Sequence, residues 1–217
     1  GLMNGPGPKP ALMSCCVTDR EQKKSQLQDD FLSFRKDAKW CRVVFNNHQA
    51  LFDTDEATSK LLRQSAWWFF DDINRMSQEY HIVLVGRITD RAKTGEHENL
   101  TVDGLVESLR SLELLDDKIE EHASAVNVYR NKIEHSRNKL VVHRDTDSIR
   151  TENGGGDHLM ADVQAFHDNL SAFCDVVGTA IGVGPLDFSH APGEGDVLDL
   201  LSLLKKHQQI KQELGCA

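Results

Sequence analysis

An all-α, up-and-down helical bundle with an accessory C-terminal helix is the fold this sequence predicts, and three observations predict it. The first is where proline falls. The 217 residues hold five prolines, Pro6, Pro8, Pro10, Pro185 and Pro192, with none between residues 11 and 184. Proline removes a backbone donor and clashes with the preceding turn, so a long proline-free stretch permits long helices. A β-sandwich or barrel would need frequent Pro/Gly turns. The second is that apolar residues recur in steps of three and four along most of the chain. The third is composition: 39% hydrophobic and 27% charged residues suit a globular chain long enough to bury a core without disulfides.

Residues 1–18 carry three of the prolines and no helical period. They are expected to be a disordered leader or a cloning remnant, followed by a bundle over 19–183 and a linker with an accessory helix over 184–217. From Asp19 the stripe Leu27, Phe31, Phe34, Ala38, Cys41 and Phe45 predicts a helix ending near Phe52, with Asp53 or Thr54 capping the next. That second helix carries Leu61, Leu62, the run Ala66-Trp67-Trp68-Phe69-Phe70, Ile73 and Met76. Four consecutive bulky aromatics span more than one face, which implies wide burial, in the core before a ligand box, or an interface. A register change is expected at Glu79–His81, with helix continuing through Ile82–Val85 to about Asp90. Arg87 and Asp90 read as a structural ion pair.

Thr94–Asn99, with Gly95, reads as a loop, and Thr101 as the cap of a helix over Val102–Leu115. Residues 98–121 hold eight acids against Arg110 and Lys118, a solvated acidic face. From Asp116 a long helix repeats Ile119, Val126, Ile133 and Leu140 every seven residues. Four residues after each stand Ala123, Arg130, Arg137 and Arg144, so one edge of the seam changes from alanine to arginine. Residues 145–157, with three consecutive glycines, read as a flexible loop. Asp157 then caps a helix through Leu159, Val163, Phe166, Leu170, Phe173 and Val177, which Gly182-Val183-Gly184-Pro185 stops. Asp196 caps the last helix, with Val197, Leu200, Leu201 and Leu204.

Several function classes are excluded or constrained. No apolar run approaches the 18 or so residues of a membrane helix, and no segment has the charge-then-apolar pattern of a signal peptide. Five cysteines, odd in number and without C-x-x-C, suit reduced thiols and a cytoplasmic protein. Ten histidines include no pair at i, i+3 or i, i+4, so no helical zinc pair is expected; no metal or cofactor is expected, and the histidines outside the motif below, His122 and His135 among them, are expected at the surface. A net charge of −9 repels phosphate, so any nucleic-acid site must be local.

One segment supplies such a site: Arg137-Asn138-Lys139-Leu140-Val141-Val142-His143-Arg144-Asp145. Arginine holds a phosphate through paired charge-assisted hydrogen bonds and keeps its proton. Histidine moves a proton near neutral pH. The two together meet the needs of RNA cleavage by an internal 2′-hydroxyl without a metal. Residues 130–150 carry Arg130, Lys132, Arg137, Lys139, Arg144 and Arg150 against Glu134, Asp145 and Asp147, a surplus of three cations. The same surplus occurs at Arg35-Lys36-Asp37-Lys39-Arg42, so charge alone does not single the segment out. Asn138 and Asp145 are candidates to orient His143 or contact substrate, although Asp145 could equally cap a loop or pair with Arg144. On an unbroken helix Arg137 and His143 would stand about 120° apart and roughly 9 Å along the axis. Either the helix ends before His143 or a second copy of the chain completes the site.

The segment resembles the ribonuclease motif of the HEPN superfamily, in which Arg and a polar residue precede a short spacer and His; Arg137, Asn138 and His143 match it. Arg87-Ile88-Thr89-Asp90, the Asn99–Leu105 cap and helix start, and His143-Arg144-Asp145 make the chain similar to the abortive-infection U-type branch. That branch usually has alanine before the histidine, where this chain has Val142. A tyrosine that receives nucleotidyl groups in another HEPN subgroup is replaced here by Asp145. The resemblance implies a HEPN-type bundle and a homodimer whose motifs face one cleft. It implies an endoribonuclease of phage-defence or toxin type, with Arg137 and His143 catalytic, Asn138 and Asp145 supporting, and Arg130, Lys139 and Arg144 on RNA. An antitoxin or defence-system partner is implied as well. The alternative is a non-catalytic HEPN module that binds RNA, nucleotide or a partner protein.

Overall fold

The computed structural model describes residues 11–137, 160–186, 188 and 194–214, with the backbone alone for 11–18 and 135–137. Six helices account for most of the described chain: α1 (Ala11–Phe52), α2 (Glu56–Thr89), α3 (Val102–Ser111), α4 (Asp117–Arg137), α5 (Met160–Ile181) and α6 (Val197–Glu213). The expected all-α architecture is therefore observed.

Long helices α1, α2, α4 and α5 form the bundle, each antiparallel to the one before it. Tyr129 of α4 packs on Phe166 of α5 with ring centroids 5.1 Å apart, while Lys132 meets Asp162 at 2.7 Å and His122 meets Asn169 at 3.3 Å. The α1 stripe read from the sequence is the stripe that is buried: Leu27, Phe31, Phe34, Ala38, Cys41 and Phe45 all lie in the core. It meets Val85 and Ile88 of α2, Ile119, Val126 and Ile133 of α4, and Phe166, Leu170, Phe173 and Val177 of α5. Sequence periodicity of 3.6 residues thus becomes one continuous apolar seam per helix. A smaller cluster, Leu51, Leu61, Leu62, Phe70 and Leu201, holds α6 against the turn between α1 and α2.

Several element ends follow from their caps. Thr101 accepts a hydrogen bond from the Gly104 amide at 3.1 Å and starts α3. The Asp116 carboxylate accepts from the Ile119 amide at 2.9 Å ahead of α4. Asp196 accepts from the amides of Leu198 and Asp199 at the start of α6. After α5, Gly182 takes φ +84°, and the amides of Val183 and Gly184 both donate to the Gly178 carbonyl at 2.9 Å. The chain folds back so tightly that a β-carbon on Gly178 would collide with the Gly184 carbonyl oxygen.

Other details differ from the expectation. Helix α1 is already formed at Ala11, the first described residue, eight residues ahead of Asp19; nothing in Ala-Leu-Met-Ser-Cys-Cys opposes helix. Asp55, rather than Asp53 or Thr54, caps α2, its carboxylate accepting from the Thr58 amide at 2.8 Å. The break in α2 is at Ala66 (φ −163°, ψ 72°) and not at Glu79–His81. Of the aromatic run only Phe70 is buried; Trp67, Trp68 and Phe69 are 48%, 78% and 57% exposed, so core burial of the run does not hold. Residues 93–98, expected as loop, form a two-stranded hairpin, β1 (Lys93–Thr94) and β2 (His97–Glu98), with Gly95 at φ +63° in its turn. Helix α3 stops at Ser111, earlier than Leu115, because Leu112 leaves the helical conformation and Glu113 follows at φ +57°. The expected cap at Asp157 lies outside the described residues.

Candidate functional site

Helix α4 decides where the arginine–histidine motif starts. Its buried seam Ile119, Val126 and Ile133 fixes the rotation of the helix. Ala123, Arg130 and Arg137 then share one register, seven residues apart, on the edge beside that seam. Arg137 is the last described residue of α4.

Helices α4 and α5 run antiparallel, and the Lys132–Asp162 bridge clasps them close to the points where one ends and the other begins. Both ends of the chain segment 138–159 therefore emerge at the same end of the bundle. Asn138, Lys139, His143, Arg144 and Asp145 lie in that segment, outside the described residues, as does the side chain of Arg137. This is also the end at which α1 finishes, since the Gln49 amide reaches the Met160 sulfur at 3.8 Å. Leu51, Phe52, Leu62, Trp67 and Phe70 line a cleft of about 230 Å³ there.

Arg130 is described in full. Its guanidinium is mostly buried against α3 and pairs with Asp103 at 3.4 Å. Asn127 donates to the same carboxylate at 2.9 Å. Part of the positive charge read from the sequence is thus compensated within the chain. Lys132 is likewise paired, with Asp162. Two larger clefts, of about 410 and 450 Å³, lie beside the hairpin and α3; the first is lined by Asp30, Glu98 and Glu107 with Lys93, the second by Arg91, Lys93 and Arg110 with Asp103 and Glu107. The first reaches Leu27, roughly 30 Å along α1 from Gln49, and its acids suit a phosphate poorly.

Arg87 of α2 crosses to Asp37 of α1 at 3.1 Å, a partner the sequence did not suggest. Asp90 accepts from the Arg91 amide at 3.0 Å where α2 ends.

A second polar group was not legible as a unit. His81 and His167 are buried, contrary to the surface placement expected for them. Their Nε2 atoms lie 3.0 Å apart, so one ring donates to the other, and His167 stacks on Phe45 with centroids 4.5 Å apart. Burial in this apolar setting, followed by the nearby His81 and Arg42, pushes the His167 pKa down to about 2 and keeps the ring neutral. Its Nδ1 is buried without a hydrogen-bond partner. Cys41 completes the group, its donor atom within 4.8 Å of those of both histidines, and burial pushes its thiol pKa up. The one sequence signal was that Cys41 lies in the apolar stripe of α1 and that His167 stands four after Val163 and three before Leu170, on the core face.

An antiparallel four-helix bundle whose third long helix carries the arginine of an Arg-Asn-x4-His sequence is consistent with a HEPN-type domain. The AbiU2 family model of that class matches residues 24–200, more than four-fifths of the chain, and the chain belongs to the AbiU2 family of HEPN domains. Comparisons with curated proteins and with solved structures gave no match.

Proposed function

We propose that the protein is a metal-independent endoribonuclease of phage-defence type, working as a homodimer through Arg137 and His143. What supports this reading is the match of the AbiU2 HEPN family model over residues 24–200, a region that contains Arg137 on α4 and His143 six residues later in the sequence. Arg137 stabilises charge on the scissile phosphate. His143 moves the proton between the 2′-hydroxyl and the leaving 5′-oxygen, a role worth about 10²–10⁴ in rate. Asn138 and Asp145 orient His143 or contact the substrate, and Lys139, Arg144 and Arg130 hold flanking phosphates. Arg130 must exchange Asp103 for phosphate to do so.

Exposed Trp67, Trp68 and Phe69, beside the cleft at the same end of the bundle, offer apolar surface for a second copy. Two copies joined at this end would place two basic segments side by side, which offsets the −9 charge locally. A defence-system partner or antitoxin would restrain the same cleft, and the chemistry belongs in the cytoplasm, where its RNA substrate lies. No helix among the described residues is long and apolar enough to cross a membrane.

A non-catalytic HEPN module is the second reading, and the internal pairing of Arg130 with Asp103 favours it. The test is incubation with RNA in EDTA beside Arg137→Ala and His143→Ala chains matched for folding. Cleavage by the parent and loss in both variants is expected. Cleavage retained by His143→Ala would overturn the mechanism, and binding without cleavage would favour the second reading.

A further inference from the structure

We propose that Cys41, His81 and His167 form an internal metal site for a soft d¹⁰ cation, Zn²⁺ or Cu⁺, that ties three helices of the bundle together. The group comprises one donor each from α1, α2 and α5, with all three residues buried and their donor atoms mutually within 4.8 Å. Zinc bonds of about 2.0–2.3 Å set tetrahedral donors about 3.3–3.6 Å apart. The two imidazole nitrogens, at 3.0 Å, need to part by a few tenths of an ångström, and the sulfur, within 4.8 Å of both, reaches the spacing by a shift of no more than about 1.5 Å.

The donor chemistry points the same way. One thiolate and two neutral imidazoles select zinc or copper over magnesium or calcium, which take oxygen. On binding, the Cys41 thiol gives its proton to solvent and its sulfur bonds the metal, while each imidazole donates a lone pair. The three donors are deeply buried without any charge among them: His167 is 1% exposed and Cys41 0%. A metal replaces the His–His hydrogen bond with two metal–nitrogen bonds and allows the sulfur to ionise. Tyr129 of α4 is buried in the same core cluster as Cys41 and packs on Phe166, the neighbour of His167, so the fourth long helix also borders the group. Its phenol or a water would fill a fourth position on zinc, whereas Cu⁺ is satisfied by three ligands. No substrate reaches donors buried this deeply, so the site is structural and independent of the RNA chemistry.

The test uses a full-length chain with Cys15, Cys16 and Cys216 replaced by serine, leaving Cys41 and Cys174. It is stripped with chelator and dialysed against Zn²⁺ alone or, under reductant, Cu⁺ alone. One metal per chain is expected, with X-ray absorption showing one sulfur and two imidazole nitrogens. Zinc at ~100 times its Kd should raise the melting temperature by about 5–10 °C, and uptake of Cu⁺ alone would assign the site to copper. With Co²⁺ a thiolate charge-transfer band should appear, persist in Cys174→Ala and vanish in Cys41→Ala. Neither metal held by the folded chain, a bound metal without sulfur, or a band that survives in Cys41→Ala would overturn the proposal. If Cys41→Ala does not fold, the absorption spectrum of the parent decides alone.

Discussion

Two histidine-bearing regions divide the molecule's chemistry, and they were built in opposite ways. Arg137 and His143 are close in sequence, in a locally basic segment. Cys41, His81 and His167 are up to 126 residues apart and meet only because three helices pack. The first kind of group is set by spacing along the chain. The second is set by packing and is buried. Changes in one region should therefore leave the other's readout alone.

Replacing either Arg137 or His143 by alanine should have the largest effect, lowering RNA cleavage about 10²–10⁴-fold with the urea midpoint unchanged. A shifted midpoint would mean the segment is structural. Replacing His167 by alanine should do the reverse. Loss of the packed ring and of the partner of His81 should cost about 2–4 kcal/mol in urea unfolding, with cleavage per folded molecule retained. Gly178→Ala, forced against the Gly184 carbonyl, should cost about 1–3 kcal/mol by the same measurement. The Thr101→Ala change removes the cap of α3 and should cost about 1 kcal/mol.

His48 supplies the smallest effect. Burial lowers its pKa, opposed by Asp53. Its Nδ1 lies 2.8 Å from the Ser77 hydroxyl, which itself donates to the Asn74 carbonyl. Unfolded, the ring takes a proton near pH 6.5; folded, it resists until lower pH. Stability must therefore fall as pH drops below about 6.5. A His48→Gln chain should lose part of that slope in urea titrations between pH 7 and 5.

The difference between the two regions also explains what could be read in advance. Apolar stripes such as Leu27–Phe45 and Val163–Val177, the caps Thr101 and Asp196, and the Gly182 stop are local signals, and each appears where its residues demand. The break at Ala66 carries no proline or glycine to announce it. Exposure of Trp67, Trp68 and Phe69 reverses the usual meaning of an aromatic run. The Arg87–Asp37 pair depends on a neighbouring helix. The His81–His167 contact spans 86 residues, and a rule for zinc pairs on one helix cannot detect it. Of the arginine–histidine motif, the structure describes the helix that carries Arg137.

A ribonuclease site shared by two chains can be tested by mixing two inactive chains. Arg137→Ala and His143→Ala proteins would be unfolded together, refolded as a mixture and given RNA in EDTA. If each site takes its arginine from one chain and its histidine from the other, half the dimers regain one intact site of two. Cleavage should then return to about a quarter of the parent's rate. A mixture no more active than either variant, beside an active parent, would contradict the shared site; an inactive parent would contradict the ribonuclease itself.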